Sequence, residues 1–172
     1  GPSVGQDSAL IEFGDNILVA KTDPITLASD NIGWYAVQIN ANDVACSGAK
    51  PRWFMCTMLL PQSYMEDDIS ELFQQILESC QQLEVSLIGG HTEITYGISQ
   101  PILIGCMLGE VHKDRVVTTN GARPGDSIII TKGISIEGSA VLARESREKL
   151  LISGVEPSCI DKASAFLFSP GI

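Results

Sequence analysis

Apolar residues at Ile32, Tyr35, Ala36 and Ile39 recur at three- and four-residue spacing. This predicts a helix beginning near Asp30, with Asp30 as its N-cap and an apolar face packed on a sheet. The helix carries Asn40, Asn42 and Asp43 into its later turns, where a carboxylate opposes the helix dipole unless a cation sits beside it. Ser47-Gly48 supplies a left-handed stop and Pro51 keeps the helix from resuming. The apolar stretch 52–60 then reads as a buried strand. Upstream, 8–13 and 16–23 flank a Gly14-Asp15-Asn16 turn and predict a hairpin. Downstream, Ile69, Leu72, Phe73, Ile76 and Leu83 mark a second helix whose first turn holds Glu66, Asp67 and Asp68 as dipole stabilisers. A short buried strand at 85–88 runs into a Gly89-Gly-His-Thr-Glu93 turn, and 100–110 is a longer strand. Beyond a charged, turn-rich junction, 127–132 predicts another buried strand, and 137–144 and 158–168 predict helices, as at the start of a second α/β unit.

These elements give an α/β (α+β) chain with a first domain at 1–112, a linker at 113–125 and a partial second domain at 126–172. The chain opens on Gly1-Pro2 without a methionine and stops just after an amphipathic stretch, so it reads as a fragment of a longer protein.

Composition narrows the function classes. With 172 residues, 44% hydrophobic and 19% charged, the chain has room for a core, and its longest apolar runs are far short of a membrane span. No targeting segment is visible. A formal charge of −10 disfavours a binder of nucleic-acid backbones, which would need clustered Lys and Arg. Five cysteines, at 46, 56, 80, 106 and 159, form no Cys-x-x-Cys pair, and four lie in apolar or helical patterns. Buried free thiols in a reducing cytoplasm are expected.

Antiparallel pairing of the hairpin brings Asp7 and Asp23 to the same end, away from the turn, which makes a shared site geometrically possible. Each aspartate taken alone fits an Asx-turn equally well, and Asp43 alone fits a surface position near a helix end. Gly89 and Gly90 allow backbone to approach a ligand, and free N–H groups there can bind anions; His91 alone fits a structural histidine. His112 reads as solvated. The chain has no Walker-A or Gly-x-Gly-x-x-Gly motif, no Gly-x-Ser-x-Gly, no His-Glu-x-x-His and no Cys/His array. The residues alone therefore give an α/β domain with three aspartates in a position to converge.

Five segments occur in the order seen in one superfamily: Gly1-Pro-Ser-Val-Gly-Gln-Asp-Ser-Ala9, Lys21-Thr-Asp23, Asn40-Ala-Asn-Asp-Val-Ala-Cys-Ser-Gly-Ala-Lys-Pro51, Gly89-Gly-His-Thr-Glu93 and Ala122-Arg-Pro-Gly-Asp126. The chain resembles the AIR synthase-like superfamily, which includes AIR synthase, selenophosphate synthetase, thiamine-monophosphate kinase and the hydrogenase maturation protein HypE. With Thr131-Lys-Gly-Ile-Ser-Ile-Glu-Gly-Ser139 added, it is most similar to the AIR synthase-related and hydrogenase-maturation branch.

The resemblance implies a mixed-sheet, N-terminal ATP-binding domain that forms a barrel on homodimerisation through its sheet, followed by a C-terminal α/β domain that completes the active site. It implies ATP and Mg2+ as cofactors, with Asp7, Asp23 and Asp43 holding magnesium on the phosphates. Thr22, Asn42, Gly89, Gly90, His91 and Thr92 would lie beside the nucleotide. His91 stands where some relatives have Asp or Glu, and a hard cation prefers those oxygens. The implied activity is ATP-dependent activation or phosphorylation of a small substrate or protein group, with the second substrate unidentified. Phosphotransfer of the thiamine-monophosphate kinase or selenophosphate synthetase kind is one alternative; a non-catalytic nucleotide-sensing or dimerisation module is another. The cysteine motif of hydrogenase-maturation proteins falls outside this chain, no catalytic residue is assigned, and the fragment alone is expected to be inactive.

Overall fold

The computed structural model describes residues 4–172, so Gly1, Pro2 and Ser3 of the opening loop lie outside the described residues. The chain forms two compact units, Gly1–Ala122 and Arg123–Ile172.

In the first unit, β1 (Ala9–Phe13) turns at Gly14, which takes a left-handed φ of 62°, into β2 (Asn16–Ile25). Then follow α1 (Ile32–Cys46), β3 (Lys50–Pro61), α2 (Glu66–Gln82), β4 (Ser86–Thr95) and β5 (Ile102–His112). The five strands form one mixed sheet in the order β1-β2-β5-β3-β4. All neighbours are antiparallel except β3 and β4, whose parallel pairing requires the crossover that α2 supplies.

Helix α1 is buried on more than a narrow stripe, because it packs on β2, β3 and β5 and also against α2. Ile32, Tyr35, Ala36, Val37 and Val44 are all essentially inaccessible, while Ile39, expected on the packed face, is only half-buried. The helices approach closely at Gly33, where a Cβ would collide with Gln75 and the Leu72 carbonyl. A buried hydrogen bond from Gln38 Nε2 to Ser79 Oγ at 3.1 Å joins them further along. The N-cap is Asn31 and not Asp30. Asn31 adopts φ 52° and ψ 24°, a left-handed conformation that asparagine tolerates better than most residues. At the other end Gly48 (φ 77°) donates its N–H to Ala45 O at 2.9 Å, the expected glycine stop. Helix α2 begins as expected, with Asp68 Oδ2 accepting the Met65 N–H at 2.8 Å.

Strand β5 turns Leu103, Gly105, Met107, Gly109 and Val111 toward α1, all of them buried. A Cβ at Gly105 would collide with the Asn40 amide and one at Gly109 with Val44. The helix therefore seats two side chains, one turn apart, in two glycine recesses of the central strand. On the other face of the sheet, Leu18, Met55, Leu59, Ile104 and Leu108 are partly exposed.

Two expectations about the strands also need correction. Gly89–Glu93 is not a turn: β4 runs on through it to Thr95. Phe54 pairs with Leu87 and Met55 with Gly89, so Ile88 is an extra, bulged residue. Gly90 lies so close to β3 that a Cβ there would land on the Cys56 carbonyl. The pair of glycines thus serves close strand approach, a use of glycine that gives the same sequence signal as a turn. The second correction concerns 127–132, which forms no strand; Ile128, Ile129 and Ile130 are 95%, 82% and 60% exposed. Among its described residues the second unit consists of α3 (Ile136–Glu145), α4 (Arg147–Ile152), α5 (Pro157–Ala165) and a final turn over Leu167–Gly171, and it offers no sheet for an apolar segment to join. Its core is Ala140, Ala143, Ile160 and Leu167.

All five cysteines are free. Cys56 and Cys80 are buried as expected, and burial pushes their thiols up to about 12 and about 11, with Cys80 adding to the effect on Cys56. Cys46 and Cys159 are exposed, against expectation, because their helices turn those positions outward.

Candidate functional site

Period-two alternation places Lys21 and Asp23 on the side of β2 that also carries the buried Ile17, Val19 and Ile25 and faces α1. The hairpin register pairs Ala9 with Ala20, so Asp7, just before β1, falls beside the same end of β2. Asp43 reaches the spot from the last turn of α1. The three carboxylates meet around one group, the Lys21 ammonium: Nζ lies 2.6 Å from Asp7 Oδ1, 3.2 Å from Asp43 Oδ2 and 3.4 Å from Asp23 Oδ2. The Lys21 side chain is 9% exposed, whereas those of Asp7, Asp23 and Asp43 are 64%, 35% and 24% exposed. The acids thus line the solvent side of a cation they enclose, which leaves them open to an incoming ligand.

The electrostatics follow from three acids sharing one base. Burial on its own pulls the Lys21 ammonium down, but hydrogen bonds to Asp7 and Asp43 and the charges of Asp43 and Asp23 outweigh it and hold Lys21 well above its ordinary value. Burial pushes the Asp43 carboxyl up, and the neighbouring Asp23 and Asp7 add to this against the pull of Lys21. With all four groups ionised the cluster carries a net charge of about −2, so the carboxylates outweigh the one ammonium they surround.

A buried amide holds the cluster together. Asn40 is fully buried; its Oδ1 accepts the Asp23 N–H at 2.9 Å, and its Nδ2 donates to Ala36 O at 2.8 Å and to Asp23 O at 3.5 Å. Ser8 Oγ donates to Asp43 O at 3.3 Å, tying the start of the hairpin to α1. Sequence reasoning passed over Asn40 as a site residue. The available signal was an amide among the apolar positions 36, 37, 41 and 44 of a helix, where a buried polar group requires partners.

The other expected residues lie elsewhere. Thr22 is on the opposite side of β2, its hydroxyl donating to Gly105 O at 2.7 Å. Asn42 is exposed on α1. Gly89, Gly90, His91 and Thr92 sit on β4, separated from β2 by β5 and β3, hence by roughly 14 Å at ordinary strand spacing. They line a groove of about 390 Å³ with Cys56, Met58, Phe73 and Ile76. His91 Nε2 lies 3.7 Å from Glu93 Oε2 on the same strand, and His112 is half-exposed beside Asp114. The fold therefore gathers Asp7, Asp23 and Asp43 and leaves Thr22 and the 89–92 segment apart from them.

The donor set fits a hard divalent ion, being three carboxylates already gathered about a positive group. The spacing is set by the ammonium, however, and among the described residues no three His, Cys, Asp or Glu side chains are grouped so as to hold a metal ion as they stand.

Residues 5–111 match the model of the AIR synthase related protein family, N-terminal domain. The chain belongs to that family. It is 30% identical over 141 residues to a hydrogenase expression/formation protein of Methanocaldococcus jannaschii, covering 79% of this chain and 42% of that one. It is 25% identical over 155 residues to the thiamine-monophosphate kinase of Aquifex aeolicus, covering 84% and 49%. Among solved structures, hydrogenase maturation protein HypE in complex with ATP matches at TM-score 0.70 and 25% identity, over 77% of this chain and 41% of that chain. AaThiL complexed with AMPPCP and TMP matches in fold at TM-score 0.75 and 21% identity, over 95% and 53%. The chain spans less than half the length of these curated relatives. Among the described residues no helix is long and apolar enough to cross a membrane.

Proposed function

We propose that the first unit is the nucleotide-binding part of an ATP-using enzyme, in which Asp7, Asp23 and Asp43 hold Mg2+ on the nucleotide phosphates. The observation that carries the proposal is the convergence of three carboxylates, from a loop, a strand and a helix, on one cationic point at 2.6–3.4 Å. Family membership supports it, as does the likeness to HypE in complex with ATP.

A divalent ion bound there would neutralise phosphate charge and polarise the terminal phosphoryl group for attack. The chain's own residues do the positioning. Asn40 fixes the backbone that carries Asp23, and Ser8 fixes the turn of α1 that carries Asp43. The reaction proposed is activation or phosphorylation of a small substrate or protein group, completed by residues of a C-terminal domain that begins near 126, after a first domain at 1–112 and a linker at 113–125. A location in the cytoplasm and a homodimer joined through the partly exposed sheet face belong to the same proposal. Since β4 stands on the far edge from β2, Gly89–Thr92 would meet nucleotide beside the aspartates through a ligand that spans the sheet or through a second copy.

Calorimetric titration of ATP into the protein, with magnesium and again with excess chelator, tests the proposal. Saturable binding with magnesium and none under chelation is expected. Equal affinity in both conditions would overturn it.

A further inference from the structure

We infer that Lys21 is a tethered cation that holds the aspartate cluster together in the free protein and must leave when a divalent ion bound to phosphate enters. The inference rests on the metal reading above.

The geometry makes the two cations mutually exclusive. Magnesium sits about 2.0–2.1 Å from its oxygen ligands. An ion that close to the same carboxylates would crowd a nitrogen lying 2.6 Å from Asp7, 3.2 Å from Asp43 and 3.4 Å from Asp23. Two like charges cannot share that volume, and the absence of a three-acid grouping ready for metal among the described residues agrees with the ammonium setting the spacing.

Lys21 is able to move without disturbing the fold. Its backbone stays in the β2–β5 ladder, paired with Met107, while four rotatable bonds carry the ammonium. Expulsion by a bare metal ion would leave that ammonium without the carboxylates that now surround it. Expulsion by a metal–phosphate complex supplies new acceptors at the same moment, because a lysine ammonium binds phosphate as a point charge. The site is thereby biased against free divalent ions and toward ions that arrive on a phosphate chain. Lys21 acts here as a positioning and specificity residue, not as a catalytic one.

The test is titration of Mn2+ without nucleotide, followed by electron paramagnetic resonance, into wild type, Lys21→Met and Asp43→Asn. Lys21→Met should bind Mn2+ at least tenfold more tightly than wild type, whereas loss of a merely structural lysine would weaken binding. Equal or weaker binding by a folded Lys21→Met protein overturns the inference. If Asp43→Asn still loses affinity in that case, the metal site itself stands; ATP binding indifferent to chelator would remove the metal site instead. Should Lys21→Met fail to fold, acylation of wild-type lysines followed by mass spectrometry decides. Lys21 should react at least fivefold faster at saturating Mn2+ while the exposed Lys113 stays constant. An unchanged Lys21 rate overturns the inference.

Discussion

Asn40 Oδ1 accepts the backbone N–H of Asp23 at 2.9 Å, so a helix amide fixes the strand residue that supplies one of the three carboxylates. The bond is buried, and the same amide also engages Ala36 O. Asn40→Ala should cost about 1–3 kcal/mol, the range for leaving buried polar partners unsatisfied. Urea denaturation measures that loss, and calorimetry should show Mg-ATP affinity falling with it.

Asp43→Asn keeps the shape of the side chain and removes its charge. The folded pKa of Asp43 lies above its ordinary value, so the ionised carboxylate costs stability at neutral pH, and the cost is relieved as pH falls through that folded pKa. The substitution should leave the melting temperature unchanged or raised, yet weaken Mg-ATP binding tenfold or more, about 1.4 kcal/mol. A lowered melting temperature with ATP affinity intact would mark Asp43 as a structural residue.

Gly89 and Gly90 should respond differently to alanine. At Gly89 the added methyl meets open space; at Gly90 it meets the Cys56 backbone carbonyl. Gly90→Ala should destabilise by about 1–3 kcal/mol more than Gly89→Ala, the scale of overpacking, with β4 losing amide-exchange protection first.

How far the sequence reveals this arrangement depends on whether a signal is local. The hairpin, α1 with its glycine stop and the acidic start of α2 are encoded by residues a few positions apart, and they appear where expected. The glycine pair at 89–90 is ambiguous by nature, since a turn and a close strand approach ask for the same residue. The isoleucines at 128–130 show β propensity, but a strand exists only with a partner, and a partner is a non-local fact. The convergence of Asp7 with Asp23 could be read from antiparallel pairing. The role of Lys21 could not be read from its motif alone, because it depends on Asp43 arriving from α1, although two-residue alternation does place Lys21 and Asp23 on one face.

The partly exposed apolar face of the sheet, with Leu18, Met55, Leu59, Ile104 and Leu108, leads to an oligomeric prediction. If a second copy covers it, the association is hydrophobic and should persist in high salt, where surface ion pairs are screened. Sedimentation at micromolar concentration should show a dimer in dilute and concentrated salt alike. A monodisperse monomer would remove the shared-sheet model.

Alkaline pH should destabilise the first unit through its buried thiols. Cys56 and Cys80 keep their protons in the fold up to about 12 and about 11, against 9.0 for an unperturbed thiol. Above pH 9 the unfolded chain therefore binds fewer protons than the folded one, and stability falls as pH rises toward those values. Cys80→Ala should flatten this decline between pH 9 and 11 in denaturant titrations.

Gly105 and Gly109 bring no side chain to the carboxylate cluster, yet they act as a keyway for α1, leaving room for Asn40 and Val44 where a Cβ would collide with them. The separation of Asp43 from Asp23 is thus gauged by two positions that carry no side chain. A methyl group at either would put the acids out of alignment from a distance, and the site would lose its cation while every residue facing that cation remained unchanged. The geometry of the site therefore rests on these two glycines as well as on the aspartates.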